Sequence, residues 1–237
     1  MSTILRHGIL DFKRTVAVVP EPTYPTDGLV ERWGFDDTLT GLNNYSFGVK
    51  AGSTEYTTGL RGKCLKYDGT NSHWIENVYN LYSVMQSTTF TISMWIYPEV
   101  FAWAKSVFCT AETGKVGIDI FPGSYGSPWN KMLLSLHNSG VWMEGILEPS
   151  SGDLPVDTWY HLVFMRTSST NIRAYINGTE YNRTIPTYGV TSNNIFIGCS
   201  GIGTSDRYKG KLDLLYLYNR VLSGSEVSEL YNSGAGA

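Results

Sequence analysis

Charge is scarce in this chain. Only 16% of its 237 residues are Asp, Glu, Lys or Arg, and the net charge is −3. A nucleic-acid binder usually presents a basic face, so that class is set aside. No apolar run is long enough to span a bilayer as a helix, which argues against membrane insertion. Cysteine is limited to Cys64, Cys109 and Cys199. An odd, widely spaced set is neither a disulfide framework nor a metal-ligand pattern. Cys64 and Cys199 lie in apolar runs and read as buried thiols acting as small hydrophobes. Histidine is also sparse, with four scattered residues and no nucleophile close by in sequence. Helical periodicity is nearly missing.

What is present is glycine, aromatic residues and short apolar runs. Such a balance suits many strands joined by Gly-rich turns. Trp159, His161 and Val163 alternate with Tyr160, Leu162 and Phe164, and both sets are largely apolar. A strand apolar on both sides lies inside a packed sandwich. Asn177-Gly178 follows the next run and supplies the positive backbone dihedrals of a type I′ hairpin turn. Candidate strands fall at 28–35, 63–67, 73–75, 90–97, 106–110, 116–121, 131–137, 141–145, 160–166, 172–176, 195–199 and 211–218. In the first of these, period two places Leu29, Glu31, Trp33 and Phe35 on one face. The pattern predicts an all-β fold, two antiparallel sheets packed as a sandwich.

One helix is predicted, near the C-terminus. Ser223-Gly-Ser-Glu226 is a capping box, Val227, Leu230 and Tyr231 form one stripe, and Asn232-Ser-Gly234 stops it. The terminal Gly-Ala-Gly-Ala is expected to fray. Residues 1–27 read as a separate extended arm, because Pro20, Pro22 and Pro25 break any ladder. Residues 28–237 form the domain. Deleting residues 1–25 is therefore expected to leave the sandwich folded.

The order of motifs resembles a known family. Gly28-Leu-Val-Glu-Arg-Trp-Gly-Phe-Asp-Asp37, Gly59-Leu-Arg-Gly-Lys-Cys-Leu-Lys-Tyr-Asp-Gly69, Phe90-Thr-Ile-Ser-Met-Trp-Ile-Tyr-Pro98, the Trp159 to Gly178 hairpin, Asn194-Ile-Phe-Ile-Gly198 and Lys209 to Glu226 follow in sequence. Together they are similar to the laminin-G-like, concanavalin A-like lectin/glucanase jelly roll. That resemblance implies a jelly-roll sandwich and a binding role more often than catalysis. It also implies a structural Ca²⁺ at Asp36 and Asp213, with Asp37 a weaker candidate. Leu214 stands where the family usually has an acid, and Tyr216 where it usually has Arg.

The catalytic members of the fold place alternating carboxylates on one strand. The nearest segment here, 116–122, offers Asp119 without an acid two before or three after it. No catalytic residue is assigned. Glycan binding needs aromatic platforms beside polar groups. Tyr125 and Trp129 lie in a Gly/Ser/Pro loop, and Trp103, Tyr188 and Tyr208 are further candidates, with Trp142 behind them. Trp33, Trp95 and Trp159 are expected in the core.

An adhesion-type jelly roll, an opening without an export signal and a Pro-punctuated arm are reconciled by a virion surface protein. The expectation is a non-enzymatic bacteriophage head decoration (auxiliary) or fibre-type protein. It would dock other virion proteins through the arm, work within an assembly, and display a domain for cell-surface or mucosal glycans. The alternative is an extracellular bacterial carbohydrate-binding module, and a glycoside hydrolase stands third.

Overall fold

The computed structural model describes residues 23–75, 79–103, 105–123, 130–138, 145–149, 152–187, 189–201 and 207–237. Chain order is β1 (Leu29–Trp33), β2 (Gly48–Ala51), β3 (Glu55–Thr58), β4 (Lys63–Asp68), β5 (Ser72–Ile75), α1 (Tyr79–Gln86), β6 (Phe90–Pro98), β7 (Phe108–Cys109), β8 (Val116–Pro122), β9 (Met132–Asn138) and β10 (Gly145–Glu148). It continues with β11 (Tyr160–Arg166), β12 (Asn171–Ile176), β13 (Thr179–Thr184), β14 (Ile195–Ile197), β15 (Lys209–Tyr218) and α2 (Gly224–Tyr231). One antiparallel sheet runs β13-β12-β11-β6-β15-β4-β3, with β1 on β15; the other runs β10-β9-β8-β7-β14-β5-β2. This is the two-sheet antiparallel sandwich that the alternation predicted, and the jelly roll that the resemblance implied.

Side-chain parity explains the layers. Ile92, Met94 and Ile96 of β6 meet Ile118, Ile120, Leu134 and Ile197 of the other sheet in the central core. The opposite parity of the eight-stranded sheet builds a second core: Trp95, Val163, Met165, Tyr216 and Tyr218 lie under Val227 and Leu230 of α2. Both faces of β11 are therefore covered, as its two-sided apolarity predicted. Asn177 and Gly178 take φ of 50° and 80°, and Asn177 ties its own hairpin to β11 by accepting from the His161 amide at 2.8 Å. The Ser223–Glu226 capping box forms, and Asn232 ends α2 in the left-handed region.

Several expectations are corrected. A bulge between Leu29 and Glu31 breaks the period of β1. Leu29 packs on the second core and Trp33 in the central one, so they do not share a face. Helix α1 went unread because Tyr, Asn, Ser and Val are weak helix formers; Leu81 and Met85, one turn apart, are nevertheless fully buried. Strands β2, β3 and β13 are polar and mostly exposed edge or near-edge strands, with no apolar alternation to see. Trp33 and Trp95 are buried, whereas Trp159 is only half-buried against Tyr97. The terminus does not fray: Ala237 is buried and its carbonyl accepts from the Tyr216 hydroxyl at 2.6 Å.

Residues 1–22 of the expected arm, and most of the candidate strand at 141–145, lie outside the described residues. The last part of the arm segment belongs to the domain. Tyr24 packs on Tyr216 with ring centroids 5.7 Å apart, and the Tyr218 hydroxyl donates to the Pro25 carbonyl at 3.0 Å. A deletion through residue 25 is therefore expected to lower unfolding free energy by about 2 kcal/mol, because it bares two buried tyrosines. Equilibrium denaturation of the truncated and full chains measures this, and equal stabilities would contradict the packing.

Candidate functional site

The outward face of the seven-stranded sheet carries the candidate site. Pairing register lines one residue per strand into a lateral row: Trp74 opposite Phe196, Phe196 opposite Cys109, Cys109 opposite Asp119, Asp119 opposite Ser135, and Ser135 opposite Gly145. Side chains of a strand alternate faces, and His73, Ile75, Ile195 and Ile197 point inward, so Trp74 and Phe196 point out. At their end of the row a trough of about 570 Å³ opens, lined by Lys50, Trp74, Glu112, Thr113, Asn194 and Phe196 among others.

The trough combines an aromatic floor with polar walls. Trp74 is half-buried. Phe196, Cys109, Ala111 and Cys199 pack together beneath it. Lys50 Nζ sits 3.9 Å from the centroid of the Phe196 ring. Glu112 Oε1 accepts from the amides of Asn193 and Asn194, and Oε2 pairs with Lys115 at 3.1 Å. Burial pushes the Cys109 thiol well up, and it pushes Cys199 up against the pull of Ser72, Lys50 and Arg207. Both thiols are thus neutral packing groups, not nucleophiles. All three cysteines are free and buried, as expected.

Asp119 does stand on this face, and Ser106 Oγ donates to it at 2.6 Å. Its cross-strand neighbours are Cys109 and Ser135, and its same-face neighbours along β8 are Gly117 and Phe121. None of these four is an acid, so among the described residues no second carboxylate neighbours it on this row as a glycosidase pair requires.

The sequence candidates fare differently. Tyr208 is a correction: it is completely buried, its ring packs on Tyr67 and its hydroxyl donates to the Lys211 carbonyl at 3.1 Å. A ring enclosed this way has no face for a sugar. Trp103 is half-buried and edge-on to Phe121, 5.1 Å away. Tyr125, Trp129, Tyr188 and Trp142 lie outside the described residues. Trp74 and Phe196 were not singled out, because each sits in a short apolar run that reads as core. The signal available was parity: each is the outward residue between two inward ones.

Asp36 and Asp213 converge on one turn, but the donor set does not fit calcium. Asp213 Oδ2 accepts from the amides of Leu60 (2.9 Å) and Arg61 (3.2 Å), and Oδ1 from that of Leu214 (2.9 Å). Asp36 Oδ1 accepts from the Lys63 amide at 2.7 Å, and Asp37 pairs with the Lys63 ammonium. A cation needs oxygens turned towards it, whereas this turn aims N–H groups at the acids. The Gly59-x-x-Gly62 spacing serves that closure: a Cβ on Gly59 would collide with Asp213, and one on Gly62 with Asp36. Among the described residues no three His, Cys, Asp or Glu side chains group as metal ligands. Excess EDTA is accordingly expected to leave the melting temperature unchanged, and millimolar Ca²⁺ to add nothing. A calcium-dependent rise in melting temperature would show that the ion is held after all.

A family model described as the concanavalin A-like lectin/glucanases superfamily matches residues 68–228. No curated protein matches the sequence. Among solved structures, the chain is similar to domain 4 of AbnA, a GH43 extracellular arabinanase from Geobacillus stearothermophilus determined with arabinotriose. The TM-score is 0.70 at 20% identity, covering 88% of this chain and 98% of that one. It is also similar to the binding domain of Paraclostridial Mosquitocidal Protein 1, with TM-score 0.67, 17% identity and coverage of 88% and 52%. The binding domain of Botulinum neurotoxin DC, solved with rat synaptotagmin II, gives 0.63, 16%, 87% and 52%. The chain thus spans about half of those toxin domains, and identities this low speak for the fold alone. With the family model covering about two-thirds of the chain and the two-sheet sandwich in place, the protein belongs to the concanavalin A-like lectin/glucanase superfamily as a lectin-like jelly-roll domain.

Proposed function

We propose that this protein is a non-enzymatic display domain that binds glycans in the trough beside Trp74, and that it is carried on a virion surface as a bacteriophage head decoration or fibre protein. The observation that carries the binding role is the trough itself: an outward Trp next to Phe196, with ammonium, amide and carboxylate groups on its walls. Sugars stack their apolar faces on such rings while their hydroxyls take polar partners. The arabinotriose complex of the arabinanase domain supports the ligand class.

The display setting draws support from where the chain enters. Tyr24 and Pro25 are fixed on the second core, on the sandwich face opposite the trough. A partner held against that face would leave the trough free to face outwards. The alternative setting is a carbohydrate-binding module of an extracellular bacterial protein.

Trp74→Ala is expected to weaken oligosaccharide binding by about thirtyfold, with a stability loss of only about 1 kcal/mol, since the ring is half-buried. Calorimetry on wild type and variant reads this; undiminished affinity would place the ligand elsewhere. Sugar release from the same oligosaccharides is expected to be absent, and release abolished by Asp119→Asn would make the protein an enzyme. Mass spectrometry of purified particles separates the settings: a stoichiometric chain supports the virion, and its absence favours the extracellular module.

A further inference from the structure

The charges around the trough do not balance. Glu112 is the acid on its wall, and it is already satisfied by Lys115 and by two backbone amides. Lys50 lies on the Phe196 ring and makes no ion pair among the described residues. Arg207 is steered by Ser72, whose Oγ accepts from Nη1 at 2.6 Å, and it too has no ion pair among those residues. Ser72 and Trp74 are two residues apart on the same face of β5. Lys50 immediately precedes Ala51, the cross-strand partner of Ser72. Arg207 is bridged across the strands to Cys199, which packs with Phe196 and Trp74, so the two cations stand around one end of the aromatic floor. Asp119 lies two strands beyond Phe196, about 10 Å across the sheet. Its carboxylate already accepts from Ser106.

Two cations next to a stacking platform, with no carboxylate paired to either among the described residues, suit one ligand chemistry. We infer that the trough selects anionic glycans, whose carboxylate or sulfate is held between Lys50 and Arg207 while a sugar ring stacks on Trp74. This rests on the glycan-binding reading above. Arg207 supplies a planar fork of donors, pre-set by Ser72, and Lys50 a compact charge held by the ring. The resulting preference is electrostatic, so it weakens as salt rises.

Calorimetric titration of the full chain with two matched pairs tests this. Trigalacturonic acid against its methyl ester probes the carboxylate, and a sulfated galactan tetrasaccharide against its desulfated form probes the sulfate. One acidic member is expected to bind about tenfold tighter than its neutral counterpart. Lys50→Met and Arg207→Gln should each remove most of that advantage, weakening the acidic member several-fold more than its neutral counterpart. Lys50 is exposed, so its variant keeps the test decisive should Arg207→Gln fail to fold. Equal affinities within both pairs, or variants that weaken acid and neutral forms alike, would overturn the selectivity while glycan binding stands. Failure of all four sugars to bind would overturn the glycan reading and the selectivity together.

Discussion

Replacing Trp95 by Ala is expected to remove about 4 kcal/mol of stability, the largest loss from any single truncation considered. For a chain of this size that lowers the melting temperature by roughly 10 °C. Trp95 projects from β6 onto the outer side of the eight-stranded sheet. Its ring stacks on His161 at 5.0 Å and on Tyr231 at 5.7 Å. Removing it leaves a cavity between the sheet and α2 that neither rigid neighbour can fill. Because the trough lies on the opposite face, folded Trp95→Ala protein is expected to bind glycan normally. Denaturation with calorimetry on the same sample checks both halves. A loss below about 1 kcal/mol would mean that α2 contributes little to the fold.

Acid is expected to destabilise the protein from pH 6.5 downwards. Burial pushes His161 down to about 3 and His73 down to about 4. His161 lies between Trp95 and Tyr231, Ser93 pairs with its Nε2 at 2.8 Å, and its buried Nδ1 has no hydrogen-bond partner among the described residues. Both histidines are neutral in the folded chain and take up protons readily once unfolded. Their stabilisation is thus complete above 6.5 and is lost as pH falls towards their folded values. Asp213 works the other way. Burial pushes it up to about 7, against the pull of the Arg61, Leu60 and Leu214 amides. Its contribution is complete below its ordinary value near 3.8 and is lost as pH rises through 7.

Between about pH 6.5 and 4, unfolding therefore takes up two protons at the histidines and releases one from Asp213. The net slope is one proton, about 1.4 kcal/mol per pH unit. His161→Phe keeps the stack and removes one titrating group. Its stability curve is expected to be nearly flat over the same window, from a pH 7 value lowered by about 1 kcal/mol for the orphaned Ser93 hydroxyl. An unchanged slope in the variant would mean that His161 does not titrate with unfolding.

How much of this was legible follows from which signals are local. The two-sided apolarity of β11, the Asn177-Gly178 turn and the Ser223–Glu226 box each act over a few residues, and each appears as read. The bulge at Leu29/Glu31 is not local, since it is set by pairing with β15, more than 180 residues away. It reverses which side Leu29 faces. At Asp213 a second bulge, with Leu214 at φ 48°, carries Leu214 into the second core. An unpaired acid at that place would be buried at a cost in folding free energy, and Leu214 suits it. Tyr208 looked like a loop platform because Gly and polar residues surround it, yet the fold closes Tyr67 over it. Trp74 looked like core because its neighbours are core. Only the pairing of β5 with β14 shows that Trp74 and Phe196 share an outward row.

The most direct measurement is heteronuclear NMR of the tryptophan indole N–H groups during titration with the neutral and acidic oligosaccharides. The chain has seven tryptophans, so each signal can be assigned by single substitution. The expected result is a saturable shift of the Trp74 indole, with Trp33 and Trp95 unmoved because they are buried in the two cores. Shifts centred on Trp95 and Trp159 with Trp74 unaffected, or no shift with any sugar, would contradict a glycan site on the seven-stranded sheet.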